Sequence, residues 1–472
     1  MTDILYIQQV KRLCDDFFST NGYYPGMFVQ TFGCQMNDRE SEKLQGLLLT
    51  MGYKEACNEE EADLVIYNTC CVRENAEKRV YGKLGYLKSC KTKQPNKVIV
   101  LCGCMPQREE VLTEINRSYR HVDIVFGTFN KHHFPRLLFE HLTQHKRVIE
   151  VLESHIEDEE YSINEFDSQT TRFSPHKAGV TVMHGCDNYC SYCIVPYVRG
   201  REKSRSPEEI LMEINALVSD GVKEIMLLGQ NVNSYGQGLH NPISFAELLT
   251  LISEVPGLRR IRFMTSHPKD LSIELIEAIK NCNKVCKHIH LPIQSGSNRI
   301  LEAMNRGYTG KQYLELLERI RAAIPGIAIT TDIIVGFPGE EETDFSDTLE
   351  IIQQANFTGA YTFMYSPRKG TPAADLMNEV PKEIIKERFN RLVEAINALQ
   401  STHNKKYLNS TVEIMVEDKS DKLKCFTGRT DDNVLVHFES EKDLTPGDLV
   451  HVKITGYKTF YMIGDYITTL NR

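Results

Sequence analysis

At 472 residues, 41% apolar and 25% charged, the chain has the composition of a soluble globular protein and is too long for one ordinary core. Two or three domains are therefore expected. No apolar run approaches the roughly 18 residues of a membrane span, and the opening "MTDILYIQQVKR" lacks the features of a signal peptide, so a cytoplasmic protein without a membrane partner is expected. The net charge of −9 argues against a nucleic-acid ligand until it is located: residues 149–170 hold eight acids and no Lys or Arg, which leaves the remainder near neutral and free to carry basic patches.

In chain order, residues 1–24 are an extension whose stretch "DILYIQQVKRLCDDFF" predicts a short helix packing on the domain that follows. Three similar units then occupy 25–145: "MFVQTFGC", "ADLVIYNTC" and "NKVIVLCGC" are short β-branched runs ending at a cysteine, with helical patterns between them. That rhythm predicts a small parallel sheet, whose carboxyl edge is where open α/β sheets bind ligands. Cys34, Cys70 and Cys104, 36 and 34 residues apart, would converge there. Residues 146–171 read as an acidic linker or edge strand.

From 172 to 404 at least five strand–helix alternations predict a parallel (β/α) barrel, full or partial. Ser206-Pro207-Glu208-Glu209 marks one helix start, with Ser as N-cap, Pro at the first helical position and Glu at the capping-box position. From 405 to 472 five alternating runs, from "STVEIMVEDKS" to "YMIGDYITT", predict a small β-barrel of oligonucleotide-binding character or a plain structural cap. The fold class is α/β.

Fourteen cysteines in a reducing compartment favour metal or redox chemistry over disulfides. Cys14, Cys57, Cys90, Cys282, Cys286 and Cys425 read as small buried apolar residues. The stretch "HGCDNYCSYCIVPYVRGREKSR" places Cys186, Cys190 and Cys193 in C-x3-C-x2-C spacing. A structural zinc site closes with four ligands, and only His184 offers a fourth locally. A four-iron cluster accepts three thiolates and leaves one iron open, which suits the spacing better.

With an aromatic, Tyr192, before its last cysteine, this motif resembles the radical S-adenosylmethionine superfamily. Together with "TFGCQMN", "NTCCVRENA", "CGCMPQ", "LLGQNVNSYG", "TSHP", "LPIQSGS" and "DIIVGFPGE", in family order over most of the chain, it resembles the methylthiotransferases. The resemblance implies a radical SAM partial barrel and a carboxyl-terminal TRAM domain. It also implies two [4Fe-4S] clusters and S-adenosylmethionine, with a 5′-deoxyadenosyl radical generated at the first cluster. Cys186, Cys190 and Cys193 match that cluster's ligands. Cys34, Cys70 and Cys104 match the auxiliary ligands, with Cys71 and Cys102 as the alternatives beside them. Because a one-residue shift at a strand end turns the side chain to the other face, Cys70 is preferred to Cys71.

Tyr192 beside the loop cysteines, and Gln230, Asn231, Ser266, Gln294 and Asp332 at predicted strand ends, are candidates to hold the cofactor or the substrate base. Each of the strand-end residues also reads as a turn or cap, while His267 and His290 read as packing or hydrogen-bonding residues rather than metal ligands. "GCQMN" resembles the branch that acts on C2 of isopentenylated adenine 37 in a tRNA anticodon stem-loop. The alternatives are ribosomal protein S12 and threonylcarbamoyl-adenosine in tRNA, or, in another class, a non-catalytic iron–sulfur RNA-binding protein. A reducing donor such as flavodoxin or ferredoxin, and a monomeric chain, are also expected. Arg199, Arg201, Lys203 and Arg205 are candidates to neutralise phosphates or anchor the cofactor carboxylate. Arg429, Lys422 and Lys424, with Phe426 as a stacking platform, form a candidate RNA surface.

Overall fold

The computed structural model describes residues 3–71, 74–153, 171–420 and 425–470. They divide into two compact units: residues 1–173 with 194–201, and residues 174–193 with 202–472.

In the first unit six parallel strands run in the order Lys54–Glu55, Gly26–Phe32, Leu64–Thr69, Val98–Gly103, Ile124–Phe126, Val148–Glu150. The three cysteine-ended runs are neighbours in this sheet, as the strand–helix rhythm predicts. The flanking strands are only two or three residues long, too short to show periodicity. Leu64–Thr69 and Val98–Gly103 are buried at every position, because helices cover both faces of a parallel sheet. One face packs Leu44, Leu48, Leu137 and Leu138; the other packs Val80, Leu84 and Leu87. The helix Asp3–Asn21 adds Val10 and Cys14 to the first of these cores, with Tyr6 against Phe139 at 5.7 Å. Val148–Glu150 is the edge strand; most of the acidic segment after it lies outside the described residues.

In the second unit the parallel strands Lys177–Thr181, Glu224–Leu228 and Arg260–Phe263 form one group, and His288–His290, Ala328–Val335 and Gly359–Met364 another. A single bridge, Ile261 to Val285, connects them. Among the described residues no pairing joins the first strand to the last, so the barrel is partial. Ser206 caps the helix Pro207–Ser219 by accepting from the Glu209 amide at 3.2 Å. Full capping boxes form instead at Ser244–Glu247 and Thr309–Gln312.

All five carboxyl-terminal runs are strands: Thr411–Ser420, Cys425–Arg429, Leu435–Glu439, Leu449–Tyr457 and Tyr461–Thr469 close into a barrel. This barrel docks on the amino-terminal edge of the parallel strands. Arg260 donates to the Arg429 carbonyl at 2.8 Å, Arg262 to the carbonyls of Thr430 and Asp431 at 2.7 and 2.8 Å, and Lys223 to Gly447 at 3.0 Å.

Candidate functional site

In the first unit Phe32, Thr69 and Gly103 stand side by side in register, so Cys34, Cys70 and Cys104 follow at one edge. The close fit explains two glycines. A Cβ on Gly103 (φ 96°) would lie 2.3 Å from the Thr69 carbonyl, and one on Gly33 would lie 3.0 Å from the Cys70 Cβ. Cys34 is exposed and stands at the N-cap position of the helix Gln35–Thr50, whereas Cys70 and Cys104 are buried. The Cys70 thiol hydrogen-bonds to both Cys34 and Cys104, which pushes its own pKa up. That bond, with the Arg199 charge, brings Cys34 down to about 7. Bonds from Cys70 and Cys71 and the same guanidinium hold Cys104 well below the usual thiol range. Cys71 reaches Cys104 and packs with Ile194 and Val198, and burial keeps Cys102 protonated within the core. Cys70 thus interacts with both Cys34 and Cys104, and Cys71 with Cys104.

Arg199 contradicts the sequence expectation of a phosphate or carboxylate anchor. It is 6% exposed and belongs to the first unit. Its Nε donates to Cys104 Sγ at 3.2 Å, Nη1 to Glu40 at 3.0 Å and Nη2 to Asn37 Oδ1 at 2.9 Å. Burial opposes ionisation of Glu40, but Arg199 and Lys131, the latter at 3.0 Å, outweigh it and hold the carboxyl well below its usual range. Removing one partner from such a buried pair costs about 3–5 kcal/mol. Its flank "IVPYVRG" was the available signal: an arginine set in an apolar run is seldom a solvated one. Arg205 is likewise structural, donating to the Thr181 carbonyl at 2.7 Å and to Glu213 at 2.6 Å. Arg201 and Lys203 are exposed.

In the second unit Cys186, Cys190 and Cys193 lie on one loop that follows the strand Lys177–Thr181 and the bridge strand Met183–His184. The Cys193 amide bonds the Cys190 carbonyl at 2.9 Å, and Tyr189 adopts φ 45°. Burial raises Cys186 to about 11. The segment Ala303–Arg306 clamps this loop. Ser191 donates to the Ala303 carbonyl at 2.7 Å, Asn305 Nδ2 to the Tyr189 carbonyl at 3.0 Å, and Arg306 Nη1 to Cys190 Sγ at 3.4 Å. Arg306, 4% exposed, also donates to Pro292 O at 2.8 Å and to the Tyr308 hydroxyl at 3.0 Å. Tyr192 packs against Ile300, Met304, Phe337 and Ala373. Sequence reasoning missed Asn305 and Arg306, because "MNRG" carries no spacing signal of its own.

The loops past Leu228 and Phe263 gather buried polar atoms with no hydrogen-bond partner among the described residues: Asn231 Oδ1, Asn233 Oδ1, Ser266 Oγ and His267 Nε2. Such atoms are costly to bury unpaired. Thr265 and Gln294 adopt φ 67° and 72° nearby, and backbone strain of this kind collects at binding sites. Asn231 donates to Asp270 at 2.7 Å, Gln294 pairs through its backbone with Asp332 and Ile334, and Gln230 is half-buried. Asp332 lies 3.3 Å from His290 Nε2. These acceptors and the Ser266 hydroxyl therefore fit a polar ligand at these strand ends. Both triads offer only sulfur, each with an arginine hydrogen-bonded to one thiol. Among the described residues no group of three His, Cys, Asp or Glu side chains encloses a single metal ion, whereas a four-iron cluster spreads its thiolates over separate irons.

The expected RNA surface is also corrected. Phe426 is 4% exposed and stacks on Phe438 at 5.8 Å in the small barrel's core, so it offers no platform. Arg429 donates to the Asn433 carbonyl at 3.0 Å and pairs with Glu417 at 3.5 Å, beside the docking contacts. Lys422 and Lys424 lie outside the described residues. Of the six lone cysteines, Cys14, Cys90, Cys286 and Cys425 are buried as expected, but Cys57 is exposed and Cys282 half-buried.

Residues 180–352 match the radical SAM superfamily, 26–127 the uncharacterized protein family UPF0004, and 405–467 the TRAM domain. A tRNA-2-methylthio-N(6)-dimethylallyladenosine synthase of Clostridioides difficile is 48% identical over 97% of this chain and 95% of its own. One of Lachnoclostridium phytofermentans is 52% identical over 97% and 98%. Among solved structures, the radical S-adenosylmethionine methyltransferase TsrM of Kitasatospora setae aligns with a TM-score of 0.51 at 12% identity, over 74% of this chain and 75% of that one. That likeness concerns the fold.

Proposed function

Since the chain belongs to the tRNA-2-methylthio-N(6)-dimethylallyladenosine synthase family of radical SAM methylthiotransferases, we propose that it converts N6-isopentenyladenosine at position 37 of tRNA to the 2-methylthio nucleoside. When bound, S-adenosylmethionine and two [4Fe-4S] clusters supply a hydrogen-atom abstractor, the inserted sulfur and, from a second S-adenosylmethionine, the methyl group.

The chain's own part is positioning. Cys186, Cys190 and Cys193 would hold one cluster on a loop fixed by Asn305 and Arg306, with Tyr192 packed behind it. The polar atoms of Asn231 and Ser266, with Gln230, Gln294 and Asp332 nearby, would hold the cofactor at the same strand ends. Cys34, Cys70 and Cys104 would hold the auxiliary cluster. The observation that carries the reading is the presence of two separate three-thiol centres, since a binding module gains nothing from two open irons. A single-stranded anticodon loop suits the substrate, because its bases can be splayed out for chemistry. A small reducing protein such as flavodoxin or ferredoxin, a monomeric chain and a cytoplasmic setting complete the proposal.

Nucleoside mass spectrometry of total tRNA from cells with and without the gene tests it. Loss of the methylthio nucleoside with accumulation of its isopentenyl precursor is expected. An unchanged nucleoside profile would overturn the substrate and turn attention to ribosomal protein S12.

A further inference from the structure

We propose that Arg199 is a positioning residue of the Cys34/Cys70/Cys104 centre, whose buried charge makes the cluster held there easier to reduce. The inference rests on the auxiliary-cluster reading above. Arg199 Nε lies 3.2 Å from Cys104 Sγ in a site where only 6% of the residue is exposed. Water therefore screens this charge poorly, and its effect on a neighbouring group is larger than at a surface. Its other nitrogens are fixed: Nη1 bonds Glu40 at 3.0 Å and Met36 Sδ at 2.8 Å, and Nη2 bonds Asn37 Oδ1 at 2.9 Å.

Asn37 ties the same network to a second thiol, because its Oδ1 also accepts from Cys34 at 3.4 Å. Its Nδ2 donates to the Thr69 carbonyl at 2.9 Å, next to Cys70. Arg199 thus acts on Cys104 directly and is held in place by Asn37, while Glu40 and Lys131 anchor its far side.

Reduction adds one negative charge to a cluster that already carries three thiolates. A fixed cation stabilises the reduced form more than the oxidised one, and a fixed anion does the reverse. The guanidinium and the Glu40 carboxylate should therefore move the reduction potential in opposite directions. A residue that served packing alone would not produce this opposition.

The test uses the full chain with Cys186, Cys190 and Cys193 replaced by alanine, reconstituted anaerobically so that only the auxiliary cluster is read. Its potential is titrated with dithionite and followed by electron paramagnetic resonance. Arg199→Met should make reduction at least tenfold less favourable, a shift of 59 mV to lower potential for a one-electron couple. Arg199→Lys, which keeps the charge but not the planar fork, should fall between the two. Glu40→Gln should shift the potential upward. Should Arg199→Met fail to load iron, the Lys and Gln variants decide by the signs of their shifts. Loaded clusters with unshifted potentials, or shifts of one sign for Arg199→Lys and Glu40→Gln, overturn the inference and leave the cluster reading intact. No iron in the parent triple variant overturns both.

Discussion

The two thiol triads are assembled by opposite routes. Cys186, Cys190 and Cys193 come from one loop, and their spacing is written in eight consecutive residues. Cys34, Cys70 and Cys104 come from the ends of three neighbouring parallel strands and meet only because the sheet places those strands in register. Both then receive one buried arginine, Arg306 on Cys190 and Arg199 on Cys104. The local triad borrows its arginine from a distant helix end. The assembled triad takes its own from the stretch of chain just after the local one. Thiols can be encoded by local spacing or by sheet register, but in both cases the countercharge is supplied from elsewhere in the chain.

This contrast can be tested from the largest effect downward. Cys190→Ala should abolish 5′-deoxyadenosine production and remove about half of the bound iron, leaving the assembled triad loaded. Continued 5′-deoxyadenosine production would overturn the loop assignment. Cys70→Ala should remove the other half and stop methylthio product while uncoupled cofactor cleavage continues. Cys71→Ala should retain most of its iron and product, since Cys71 packs with Ile194 and Val198 beside Cys104. If Cys71→Ala behaves as Cys70→Ala is expected to, the two exchange roles.

Acid should weaken the unit that carries the loop triad. Burial lowers His176 to about 4, His288 to about 3 and His267 to about 2, from an ordinary value of 6.5. Folded values below the unfolded one mean that stability is fully present above pH 6.5 and is lost as pH falls. Between pH 7 and 5.5 each buried imidazole should cost about 1 kcal/mol. Hydrogen exchange across that range should show amides of the second unit opening as pH falls, and His288→Gln should flatten the slope. A comparable effect concerns the clamp. Asn305→Ala removes the bond to the Tyr189 carbonyl and places alanine at φ 58°, costing about 1–2 kcal/mol in thermal unfolding.

Several elements were legible because their signals are local. The β-branched runs ending in cysteine, the Ser206-Pro207 helix start and the five carboxyl-terminal strands all appear where periodicity and capping put them. What failed was side-chain direction. "KCFTGRT" reads as a basic, aromatic RNA face, yet alternation along the strand turns Phe426 into the barrel core. Arg429 stands where the small barrel docks on Arg260 and Arg262. "VRGREKSR" reads as one charged loop, yet it divides: Arg199 is buried beside a thiol in the first unit, Arg205 is buried by Glu213 in the second, and Arg201 and Lys203 are exposed.

The sequence by itself determined the elements, their parallel or alternating character, the three-thiol loop and the family, because each depends on residues close together or on words that survive without coordinates. Only the tertiary structure decided that Arg199 and Arg306 each meet a thiol and that Phe426 is core. Those outcomes depend on which face of a strand or helix a side chain leaves from and on what the fold brings opposite it. A buried charge is placed by its partners, and partners separated by the 163 positions between Met36 and Arg199 leave no pattern in a sequence read from one end.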